Sequence, residues 1–176
     1  MKKITALIIL VLTAFSLFSC GKGGSGMKLG VGVYSAAQNA KDAEGDANGS
    51  AGATVTVATV LIDKDGKIVS CILDAAEYTF SYTSEGKAAG TGELKTKREQ
   101  GDAYGMKLYG GAVGEWYEQA DAFSAAVAGK TVSEVKALVA SGGKGNTEVV
   151  SAGCTIAIED FIFAIEKAAA NASAVN

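Results

Sequence analysis

Apolar residues recur every second position through much of the first half of this chain and every third or fourth position through the second. A period of two marks half-buried strands, and the longer period marks one face of a helix. Leu29, Val31 and Val33 alternate with Lys28, Gly30 and Gly32, which predicts a strand with one apolar face. Residues 54–62 are rich in β-branched side chains, and 67–74 return with similar character. Asp63-Lys64-Asp65-Gly66 between them predicts a tight turn, Gly66 supplying a positive φ, so the two runs read as a hairpin. Tyr78, Phe80 and Tyr82 alternate on a third strand, which closes in a turn at 84–87. Residues 35–53 are rich in Ala, Gly, Asn and Asp and read as a long exposed loop.

The second half changes period. Trp116, Ala120, Phe123 and Val127 form a stripe on a helix over 115–128, stopped by Gly129. Thr131-Val132-Ser133-Glu134 is a capping box, opening a helix over 132–141 that buries Val132, Val135, Leu138 and Val139. Residues 149–155 read as extended. Ile158, Phe161, Ile162 and Ile165 place a last helix over 157–170, and 171–176 should fray. Strands first and helices afterwards predict an α+β class: an antiparallel sheet in the N-terminal half, covered by C-terminal helices, in one domain over 28–170.

The first residues stand apart from this pattern. Lys2 and Lys3 precede an apolar run from Ile4 to Phe18, too short for an ordinary membrane span. It ends in Leu17-Phe18-Ser19-Cys20-Gly21, which resembles a bacterial lipobox. The reading is a signal peptide over 1–19, then a Cys20 that is acylated and becomes the first mature residue. A flexible Gly- and Lys-containing tether to residue 27 follows. This places the protein on the extracytoplasmic face of a bacterial cell membrane, held by palmitate-type chains on Cys20, with the lipid membrane as its first partner.

Composition narrows the chemistry. Lysine and arginine total 16, aspartate and glutamate 19, and histidine is absent. Without residues 1–19 the chain carries 14 basic and 19 acidic groups, net −5. The acidic balance argues against a nucleic-acid partner. The absence of histidine removes Ser-His-Asp and Cys-His catalysis and His-ligated metal sites, so no metal is expected. Cys71 and Cys154 lie in apolar surroundings and either pair or act as small buried hydrophobes. Asp102 near Tyr104, and Glu115 near Glu118, read as solvated surface carboxylates. With no phosphate loop, nucleophile elbow or zinc-helix motif, the expectation is a non-catalytic protein. The segment 94–116 is Gly-rich with Tyr104, Tyr109 and Trp116, and Tyr104, Gly105, Met106 and Trp116 are candidates for a ligand rim.

Several pieces together resemble a group of uncharacterised bacterial lipoproteins, distantly related to the FMN-binding domain of extracytoplasmic electron-transfer proteins. They are Asp65-Gly66-Lys67-Ile68-Val69, Lys95-Thr96-Lys97 with residues 101–107, residues 115–120, Gly129-Lys130-Thr131, and Thr155-Ile156 followed by 161–168. The likeness spans about residues 54–170. In flavin-carrying relatives a motif of Asp, two variable residues, Ser or Thr, Gly, Ala and Thr precedes the last helix. Its final Thr is joined to FMN phosphate by a flavin transferase. Here Ser151 and Thr155 match in kind, Glu148 replaces Asp, Cys154 replaces Ala, and one residue is extra. The resemblance therefore implies an FMN-binding-like redox module with Thr155 as the attachment residue and a redox partner. The alternative is a structural or ligand-binding surface lipoprotein without cofactor, in which Thr155 is a helix cap.

Overall fold

The computed structural model describes residues 26–89 and 94–175, so Cys20 and the signal segment lie outside the described residues. Three long strands, β1 (Lys28–Lys41), β2 (Gly49–Ile62) and β3 (Ile68–Tyr82), form an antiparallel meander. Short strands β4 (Ala88–Ala89) and β5 (Ser173–Ala174) flank it in the order β4-β3-β2-β1-β5. Among the described residues six helices follow β4: α1 (Lys97–Gln100), α2 (Met106–Gly110), α3 (Trp116–Val127), α4 (Val132–Lys136), α5 (Thr147–Ser151) and α6 (Glu159–Ala170). Short 3-10 turns occupy Gly101–Tyr104 and Ser141–Gly143. The architecture is the α+β arrangement expected, with strands first and helices packed on the sheet.

The β2–β3 turn forms for the reason its sequence indicates. Asp63 Oδ1 accepts from the amides of Asp65 and Lys67, each at 2.9 Å, and Gly66 takes φ 78°. Residues 35–53 depart from the loop expectation. The β1–β2 ladder continues through Ala37↔Ala53 and Gln38↔Gly52, then shifts register where Asn39 adopts φ 53°. Small residues that show no alternation still pair, because ladder hydrogen bonds come from the backbone and depend on the neighbouring strand.

One sheet face carries the core. Thr56, Ala58, Val60 and Ile62 of β2 lie beside Ile68, Cys71, Leu73 and Ala75 of β3, all buried. Helix α3 packs on β3, presenting Trp116, Ala120, Phe123 and Val127, and α6 packs on β1 and β2. The rings of Trp116 and Phe123 each lie 5.7 Å from that of Phe161, joining the two helices. On β1 the buried face is the glycine face. A Cβ on Gly30 would collide with the Ala168 carbonyl, and one on Gly32 with the Ala164 carbonyl, so the α6 backbone lies directly against the strand. Leu29, Val31 and Val33 consequently point away from the helices.

Three further segments differ from their sequence reading. Helix α4 stops at Lys136, and a turn carries buried Leu138 to the glycines at 142 and 143, both at positive φ. Residues 147–151 are helical rather than extended, because Asn146 Oδ1 caps the Glu148 and Val149 amides at 3.0 and 3.2 Å. The tail pairs with the sheet: Ser173 and Ala174 oppose Leu29 and Lys28, and the Val175 amide donates to the Met27 carbonyl at 3.1 Å.

Candidate functional site

The sheet and the helical layer part company at one place, leaving a cavity of about 270 Å³. Its sheet wall is built from Gln38 of β1, Thr54 and Thr56 of β2, and Ala75 and Glu77 of β3, which share the core-facing side of the ladder. Its opposite wall comes from Lys97, Tyr104, Met106, Trp116, Ile156, Ala157, Asp160 and Phe161. Three of the four rim candidates, Tyr104, Met106 and Trp116, are thus brought together. Gly105 lies buried between two of them at φ 78°, where a Cβ would strike the Tyr109 ring.

The rim is positioned by a residue that the sequence reading placed in solvent. Glu115 is 4% exposed. Its two carboxylate oxygens accept from the Met106 and Lys107 amides at 2.8 and 3.1 Å, satisfying free donors at the start of α2. Its own amide donates to Glu118 Oε2 at 2.8 Å, starting α3. One buried carboxylate therefore ties the 104–106 loop to the first turn of the helix that carries Trp116. Asp102 is engaged too, accepting from the Tyr117 hydroxyl at 3.0 Å.

Polar character in the cavity centres on Lys97. Its ammonium lies 3.0 Å from Glu77 Oε2 and 5.0 Å from the Tyr104 ring centroid. Burial works against this charge, but hydrogen bonds with Tyr104 and Glu77 outweigh it and hold Lys97 above its ordinary range. The Lys97 hydrogen bond in turn holds the Glu77 carboxyl below its ordinary range. Beside them Gln38 Nε2 is sealed from solvent, and the Gln38 side chain also helps to hold the Glu77 carboxyl down. Lys97, Gln38 and Glu115 carried little signal in the sequence, because only folding brings β1, β3 and α1 to one place.

Thr155 is not among the residues that line this cavity, although the next two in sequence, Ile156 and Ala157, form part of its wall. It is not a helix cap. Helix α6 starts four residues later, at Glu159, with Ile158 as the preceding cap residue. Both the Thr155 amide and its hydroxyl donate to Gln119 Oε1 at 2.9 Å, and Gln119 is wholly buried in α3. Ser151 ends α5 and is exposed. Cys71 and Cys154 are buried unbridged thiols, Cys71 pushed up to about 12 and Cys154 to about 11, chiefly by burial.

The fold is of the α+β class, with this cavity between its sheet and its helices. A chlorophenol reductase of Desulfitobacterium hafniense is 33% identical to this chain over 96 residues, a match covering 47% of the chain and 29% of the relative. The chain thus spans less than a third of that protein's length. No family model and no solved structure matches. The expectation of a non-enzyme is corrected by this finding: the relative that matches is named for a reductase, an enzyme.

Proposed function

We propose that the chain is a lipid-anchored, extracytoplasmic redox component of a reductase, and that its cavity receives the ring of a flavin. The observation that carries this reading is a cavity lined by Tyr104, Trp116 and Phe161, with Ile156 and Ala157 of the segment after Thr155 in its wall, in a chain similar over part of its length to a reductase. The lining fits a planar ring. Trp116, Phe161 and Met106 supply apolar surface, and the Gln38 amide beside Glu77 supplies a polar group at the sheet wall. The volume accommodates a ring system while leaving a sugar-phosphate tail outside. A tail held at Thr155 suits this arrangement, since the next two residues form part of the wall.

A bound flavin would supply one- and two-electron transfer. The protein's own part is to stack the ring against Trp116, screen it from water and hold a cation, Lys97, beside it. Glu159 and Asp160 in the first turn of α6 oppose a phosphate. Retention therefore rests on a covalent bond at Thr155 rather than on ionic attraction.

The test is the intact mass of protein purified from its own membrane, in cells whose flavin transferase is active. The expected product is yellow and carries one flavin mononucleotide, which disappears in Thr155→Val and survives in Ser151→Ala. A colourless wild type without added mass would instead establish a surface lipoprotein that lacks the cofactor. The anchor is checked separately: labelled palmitate should enter the wild type and not Cys20→Ser.

A further inference from the structure

The cavity wall holds a feature that apolar contact with a ring does not require, the Lys97–Glu77 ion pair. The Lys97 side chain is 13% exposed and that of Glu77 39%, so this is not a freely solvated surface pair. Charges withdrawn from water persist where their hydrogen-bonding capacity is used. An ammonium has three protons to give, and a carboxylate about four lone pairs to accept with. Lys97 gives one proton to Glu77 at 3.0 Å and one to Tyr104. Glu77 accepts from Lys97, Gln38 and Tyr104. A donor on Lys97 and an acceptor on Glu77 are left over, side by side, in the lining of the cavity. Charge narrows what can use them. Asp160 also lines the cavity, so the lining has a net negative charge that opposes a phosphate or carboxylate. Lys97 already matches Glu77, and Asp160 stands in the first turn of α6, where the helix dipole matches it. A neutral ring with one polar edge fits both facts, and Trp116, Phe161 and Met106 cover its faces.

We propose that Glu77 and Lys97 are specificity-determining residues that read the imide edge of the ring, Glu77 accepting from its N–H and Lys97 donating to the adjacent carbonyl. The proposal rests on the flavin reading of this cavity and adds an orientation to it, with the imide edge at the sheet wall. The N–H and carbonyl of a cyclic imide are adjacent and held in one plane. They meet an acceptor and a donor that the ion pair holds 3.0 Å apart in the same side-by-side order. Gln38 and Tyr104 are positioning residues. Gln38 fixes the carboxylate from β1, and Tyr104 fixes both members of the pair from the loop before α2. Selectivity follows from the cost of mismatch. A ring without the N–H leaves the Glu77 lone pair buried against it and unpaired, which a merely apolar pocket would not penalise. The ligand class is therefore a planar heterocycle with a free imide N–H, and an N-alkylated ring is rejected.

The test uses the full-length chain in detergent micelles, made in cells without the flavin transferase so that no flavin is attached. It is titrated with lumiflavin, which has the ring without the phosphate tail, and with 3-methyllumiflavin, whose imide nitrogen bears a methyl instead of hydrogen. Quenching of flavin fluorescence reads binding. Lumiflavin should bind at least about tenfold more tightly, although the extra methyl of its analogue is apolar. In Glu77→Leu the two affinities should come within about twofold of each other, the far-ultraviolet circular dichroism being unchanged. Should Glu77→Leu not fold, Glu77→Thr makes the same comparison, with a side chain that suits a strand and is too short to reach the ring. Equal affinities in the wild type, or a preference that survives the substitution, would overturn the proposal and leave the flavin reading standing. Binding of neither ring would remove the flavin from this cavity and the proposal with it.

Discussion

Gln119 Oε1 holds Thr155 by two bonds, accepting from its amide and its hydroxyl at 2.9 Å each. The Gln119 Nε2 donates to the Gly114 carbonyl at 2.9 Å, so one buried amide joins the loop before α3 to the loop before α6. Thr155 is therefore placed by a helix 36 residues away in sequence.

Replacing Gln119 by Leu leaves three buried or half-buried groups without partners. The expected loss is about 2–3 kcal/mol in urea unfolding. Thr155→Val removes only the hydroxyl and should lose about 1 kcal/mol. Equal losses in the two variants would contradict this division of roles.

Gly32→Ala tests the seam between β1 and α6. The added methyl meets the Ala164 carbonyl and the Ala168 amide, both backbone atoms that cannot swing aside. Overpacking of this kind should destabilise by about 2 kcal/mol or more. Ser35→Ala, exposed on the other face, should stay within about 0.5 kcal/mol of wild type. Thermal melts of both variants make the comparison.

The Glu77–Lys97 pair gives stability two pH limits. Glu77 is depressed in the folded state, so its contribution is present above the ordinary 4.5 and lost as pH falls through its lower folded value. Lys97 is raised, so its contribution is full below 10.5 and lost as pH climbs through its higher folded value. Urea midpoints measured across pH should show a shallower acid limb in Glu77→Gln and a shallower alkaline limb in Lys97→Met. An acid limb unchanged by Glu77→Gln would remove the pair from the pH response.

Burial also predicts thiol behaviour. With Cys71 pushed up to about 12 and Cys154 to about 11, little thiolate exists at pH 8. In a Cys20→Ser chain, iodoacetamide should modify neither thiol in the folded protein and both in urea, as counted by intact mass. Rapid native labelling of either would show that its surroundings open.

By itself the sequence determined the elements whose signals are local. The Trp116-to-Val127 stripe, the Thr131–Glu134 capping box and the Asp63–Gly66 turn all stand where the residues place them, because each is decided within one or two turns of chain. The α+β class followed from the order of those signals. Tertiary structure alone decided the rest. It paired residues 35–41 and 49–53 despite their lack of alternation, since backbone ladders need only a neighbour. It turned the glycines of β1 inward, since the close approach of α6 leaves no room for a side chain. It buried Glu115 beneath α2, set Thr155 against Gln119, and gathered Gln38, Glu77, Lys97 and Trp116 around one cavity. Those residues are separated by tens of positions, and no local periodicity encodes a contact that exists only once strands and helices have packed.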